Sequence, residues 1–139
     1  MSVDIEQQLL SAIRRTWKDS PLIEEVCVAI LDFVLSPPKK EYITLSMLRK
    51  AIGLRVSEGD AEFAAAVQYL LGDAAPVLAI GFEMVGPDGL PVRISIEEAE
   101  IARRNSINPL TGDFDEQVGE KLLTFLVPAS AIAESRSQA

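Results

Sequence analysis

Twenty-one carboxylates, thirteen cations, one cysteine and no histidine set the chemistry open to this chain. Without histidine, the commonest general base and the commonest metal ligand are both missing. Cys27 falls inside the apolar series Ile23, Val26, Ile30, Leu31 and Val34. A reactive thiol needs exposure and an electropositive neighbourhood, so Cys27 reads as a small core hydrophobe. The densest acidic stretch is Asp113, Asp115, Glu116 and Glu120. A pair such as Asp113 and Asp115 can act as general acid and base when a cleft brings the two together. The D-x-D-x-D-G spacing and closing Glu of a calcium loop are absent, and a solvated acidic loop is expected. No cysteine pair can hold zinc, and neither G-x-G-x-x-G nor a Walker loop occurs. The expectation is a non-enzyme with no cofactor and no metal. Lys39, Lys40, Arg49, Lys50 and Arg55 are the only basic concentration in or beside the two successive helices expected over residues 44–72. They are candidate nucleic-acid contacts if they form a phosphate-facing patch, and scattered surface cations otherwise.

The stretch Thr44–Ile96, which holds Arg49, Lys50 and Arg55, organises the rest of the chain. Thr44 can cap a helix, and Ile43 can staple onto Leu48. Leu45, Leu48, Ala51 and Ile52 then face a core, and Gly53 ends the helix in a left-handed turn. Ser57 offers a second cap. Phe63, Ala64, Val67, Leu70 and Leu71 recur at helical spacing up to Gly72 and Pro76. Residues 77–85 are rich in β-formers, Gly86-Pro87-Asp88-Gly89 is turn chemistry, and Val92, Ile94 and Ile96 alternate with polar residues. A helix over Leu22–Leu35 precedes this stretch, opened by Ser20 and Pro21.

The order of three helices followed by a hairpin resembles the winged helix-turn-helix superfamily, over roughly Pro21–Ile96. The resemblance implies an α+β, mainly helical fold: a three-helix core, a β-hairpin wing, an extra N-terminal helix and a C-terminal strand. It also implies that the second helix of the turn motif is the reading helix of DNA-binding members, where Arg, Lys, Asn or Gln meet base edges. This chain departs from that pattern. Residues 57–73 carry Glu58, Asp60, Glu62 and Asp73 and no Lys or Arg, with Gln68 as the one base-reading type. The wing tip carries Asp88.

The flanks complete the reading. Ile5, Leu9, Ile13 and Trp17 make one stripe of an N-terminal helix that either packs on the core or serves association. Leu78, Ile80, Phe82 and Met84 form one face of the first hairpin strand, and its other face is also largely apolar, so cover on both faces is expected. Ser95 and Glu98 form a capping box. Residues 122–127 read as a strand that can join the hairpin, and 129–139 as a flexible tail. One domain over residues 1–128 is expected at this length of 139. A net charge of −8 disfavours general nucleic-acid affinity. No run is long enough to span a membrane and the start lacks a basic n-region, which implies a cytoplasmic chain. The function expected is a non-catalytic winged-helix adaptor that binds a protein partner or forms a homodimer. The candidate interface comprises Glu58, Glu62, Tyr69, Leu78, Ile80, Phe82 and Met84. The alternative is a DNA-binding winged-helix regulator.

Overall fold

A computed structural model describes residues 3–55 and 58–137. The elements run α1 (Val3–Thr16), α2 (Pro21–Leu35), α3 (Leu45–Ala51), α4 (Asp60–Leu70), β1 (Leu78–Val85), β2 (Pro91–Ile94), α5 (Ile96–Asn105), α6 (Val118–Lys121), β3 (Leu122–Pro128) and α7 (Ser130–Ser137). The fold is α+β, with one three-stranded antiparallel sheet in the order β2-β1-β3. Among the described residues no helix is long and apolar enough to cross a membrane. The chain divides into two compact units: Met1–Ala79 with Leu126–Ala139, and Ile80–Phe125.

The first unit is built on helices. Leu9, Ala12 and Ile13 of α1 join Val26, Cys27, Ile30, Leu31 and Val34 of α2 in one core with Leu48 of α3 and Phe63, Ala66, Val67 and Leu70 of α4. The N-terminal stripe is therefore a packing face. Pro21 opens α2 as expected, but Ser20 makes no side-chain cap bond. Thr44 Oγ1 accepts from the Met47 N–H at 3.1 Å, the cap its sequence position implies. Ile43 and Leu48 are both fully buried. Leu45 and Ala51 are exposed, contrary to expectation, while Leu48 on the same helix is buried. The Ser57 cap lies outside the described residues, and α4 instead begins after Gly59, which adopts a left-handed φ of 59°. Ile43 exchanges both backbone hydrogen bonds with Leu126 at 2.8 Å each. Ala129 then bonds Val77 at 2.9 Å, and α7 buries Ile132 in the same core. Residues 130–137 are thus a helix where a tail is expected. Two buried anchors, Ala129 and Ile132, provide the apolar contact that this small-residue stretch needs to stay helical.

The second unit is organised on the hairpin. β1 and β2 pair antiparallel with Phe82 opposite Ile94 and Met84 opposite Val92. Gly86 O accepts from Gly89 N–H at 2.9 Å, and Asp88 Oδ1 from Leu90 N–H at 3.0 Å, closing the turn. Gly89 takes φ 82° there, a conformation that favours glycine. Ser95 and Glu98 complete the capping box of α5 reciprocally. Ala99 and Ala102 of α5 then pack on Phe82, Met84 and Ile94, with Val118 beside them. Ile96 is the first residue of α5 and is exposed, so it does not extend the strand's apolar face. β3 joins the sheet beside β1, as its sequence suggests, but pairing in the sheet plane satisfies an edge and covers no face. The small-residue side of α5 covers Phe82 and Met84 instead.

A candidate protein-interaction groove between two helices

Two devices fix the α3–α4 connection. First, Leu54 N–H bonds Arg49 O at 2.9 Å and Gly53 N–H bonds Lys50 O at 3.3 Å, with Gly53 at φ 81°. This is the paired C-terminal pattern that satisfies orphan carbonyls at a helix end. Second, Arg49 reaches across the turn. Its Nη1 donates to the carbonyls of Arg55 and Glu58, each at 3.1 Å, and its Nη2 donates to the Asp60 carboxylate. The guanidinium also stands 4.6 Å from the Phe63 ring centroid. A planar cation with several donors can serve all these partners at once, which a lysine cannot.

The result is an open groove of about 440 Å³ along the two helices. Its wall and floor are Leu45, Phe63, Ala64, Val67 and Leu71, with Gln68 on the rim and the Arg49–Asp60 pair at one end. Leu45 is 53 % exposed. Such a trough suits the apolar face of an incoming helix.

Most of the interface residues expected from sequence lie elsewhere. Leu78, Phe82 and Met84 are at most 7 % exposed and belong to cores. Tyr69 is engaged internally: its hydroxyl donates to Ala12 O at 3.1 Å and lies 2.8 Å from Thr16 Oγ1. Its ring meets Trp17 edge-on at 5.4 Å. These four are corrections. An apolar strand face and an aromatic on a helix look the same in sequence whether their cover comes from the same chain or from another. Ile80 stays exposed, and Glu58 and Glu62 lie at the α4 entrance, exposed and half-buried respectively. Sequence reasoning missed Leu45 and Ala64 as exposed residues and Leu71 as a half-buried part of the groove wall. The only signal for Ala64 is its place in the run Ala64-Ala65-Ala66, which has no polarity contrast to orient it.

Two of the basic residues, Arg49 and Lys40, are engaged within the chain. Arg49 is occupied by the turn, another correction. Lys40 donates to Ser36 O and stands 4.5 Å from the Phe33 ring centroid. Lys39, Lys50 and Arg55 are exposed.

Two groups have perturbed acidity. Burial, helped by the Glu24 carboxylate, pushes the Cys27 thiol up to about 12, which keeps it neutral. Asp115 is held below the usual carboxylate range by the Lys121 ammonium at 2.7 Å and the Gln117 N–H at 2.9 Å. Asn108, buried, adds a longer contact to Asp115 at 3.4 Å and also accepts from Leu110 N–H at 2.9 Å. Asp115 is therefore the hub of a loop, whereas Asp113 is an exposed neighbour. Among the described residues no group of three or more metal-ligating side chains is close enough to hold an ion. Comparison with protein-family models, curated proteins and solved structures finds no match for this chain.

Proposed function

We propose that this chain is a non-catalytic, winged-helix-like module whose α3–α4 groove receives an apolar helix from another protein. The observation that carries the reading is the makeup of that groove: it is apolar, α4 has no Lys or Arg, and the groove's one cation, Arg49, is already engaged. A DNA-reading helix at this place needs the opposite composition. At ~4 Å and an effective dielectric near 20, one carboxylate–phosphate approach costs about 4 kcal/mol before screening. In the first turn of α4, Glu62 carries a carboxylate that a phosphate would meet, beside Asp60, which Arg49 already pairs.

The competing reading is a DNA-binding regulator, favoured by the exposure of Lys39, Lys50 and Arg55. A titration against duplexes from the host's own upstream region, at two salt concentrations, separates the two. The expected result is no sequence-specific binding tighter than about 10⁻⁶ M at physiological salt. Sub-micromolar affinity with a steep salt slope, lost in Lys50→Glu with Arg55→Glu, would establish the regulator instead. Affinity capture from the host with the wild-type chain and with Ala64→Glu then tests the groove, since its partner is retained only by the wild type.

A further inference from the structure

We infer that the chain has a second docking site, a groove between α1 and α2 that takes a basic amphipathic helix from a partner protein. The groove measures about 650 Å³. Its apolar floor includes Leu10 and Val28, both half-buried against the core. Its rim carries Glu6, Glu24, Glu25 and Asp32 against a single cation, Arg14. None of these five makes an ion pair with another described residue. The carboxylates are strung out along the helices. At 1.5 Å per residue, Glu25 and Asp32 stand about 10 Å apart along α2. That spacing is too wide for one cation, and no metal-holding group of side chains occurs among the described residues. It matches instead the successive turns of a helix laid along the trough, with Lys or Arg flanking an apolar stripe. A second copy of this chain is a poor occupant, because each copy carries a net charge of −8. The site is separate from the α3–α4 groove and stands or falls without it.

The test uses the full chain and a fluorescein-labelled Leu/Lys amphipathic peptide of about four helical turns. Anisotropy is read at low and high salt, with a Leu/Glu peptide of the same apolar pattern as control. The expected result is binding of the Leu/Lys peptide alone. It should weaken at least ~10-fold when Glu6→Gln, Glu24→Gln, Glu25→Gln and Asp32→Asn are combined. Neutralising an equal number of carboxylates that do not line the groove (Asp73→Asn, Asp113→Asn, Glu116→Gln and Glu120→Gln) should change affinity less than about twofold. Circular dichroism checks that both variants fold. Equal losses in the two variants would show attraction to overall charge and overturn the proposal, as would equal binding of the Leu/Glu peptide. Amide chemical shifts of the unsubstituted chain give an independent reading. Perturbations concentrated on residues 6–14 and 21–32 support the site, and perturbations centred on the α3–α4 groove refute it.

Discussion

Cys27 and Arg49 show how a polar side chain's surroundings decide its role. The Cys27 thiol is enclosed by apolar neighbours, and ionising it would place a charge where no cation can answer it. Its folded pKa is raised, so the native state holds the proton more tightly than the unfolded chain does. The contribution to stability is therefore complete below the ordinary thiol pKa and is lost as pH rises from there toward about 12. At pH near 8 the native chain should react with Ellman's reagent at least ~100-fold more slowly than the chain in denaturant. Prompt labelling of native protein would show that the thiol is accessible. Arg49 is the converse case, a charge that directs three hydrogen bonds at fixed acceptors. Arg49→Ala leaves two carbonyls and the Asp60 carboxylate without their donor, and should cost about 1–3 kcal/mol in urea unfolding. Arg49→Lys should recover only part of that, because a single ammonium cannot span the same fork.

Among the elements, the segment 106–121 has little regular structure and is held by side chains. Ser106 O accepts from Asp115 N–H at 2.7 Å, and Asn108 O accepts from Gly112 N–H at 2.7 Å. Asp115 then anchors the N-terminal side of α6 through Gln117 and its far end through Lys121. Because the folded pKa of Asp115 is lowered, its contribution is present above the ordinary carboxylate pKa and disappears as pH falls through the depressed folded value. The melting temperatures of wild type and Asp115→Asn should accordingly differ near neutrality and converge in acid. A gap that stays constant down to about pH 2 would mean that the charge on Asp115 is not what holds the segment. Capping works the same way at smaller scale: the Ser95–Glu98 box sets where α5 starts, and so which residues of that helix reach the sheet.

At the scale of the whole molecule, the balance of buried and exposed apolar surface determines association. The hairpin residues that make self-association attractive on sequence grounds, Leu78, Phe82 and Met84, are core residues in the fold. The large apolar side chains that remain exposed sit on several different elements, among them Leu22, Leu45, Ile80, Val92 and Ile101. With a net charge of −8 as well, the chain without its partner should scatter light as a 15.1 kDa monomer at physiological salt. A stable dimer disrupted by Ala64→Glu would instead make a second copy the occupant of the α3–α4 groove. The helical core is the other global property. Leu48→Ala removes a fully buried side chain from it and should cost about 2–5 kcal/mol.

Local rules were enough to place Thr44 as a cap, Gly53 as a helix stop, Ser95–Glu98 as a capping box and Gly86–Gly89 as a hairpin turn. Each depends on atoms within a few residues of one another, so the information is contained in short stretches of chain. The burial of Cys27 was legible for a similar reason, since a wide apolar stripe on a long helix has only one face to turn inward. The sequence also excluded histidine chemistry outright. It did not show which apolar surface stays outside. Phe82 is covered because Ala99 and Ala102 reach it from α5, and Tyr69 because Ala12 and Thr16 reach it from α1. Leu45 is left on the surface although Leu48, three residues on, is fully buried. Arg49 looked like a free cation until folding brought Arg55, Glu58 and Asp60 around its guanidinium. The covers of Phe82 and Tyr69 come from other helices of the chain, and spacing along one segment carries no record of them.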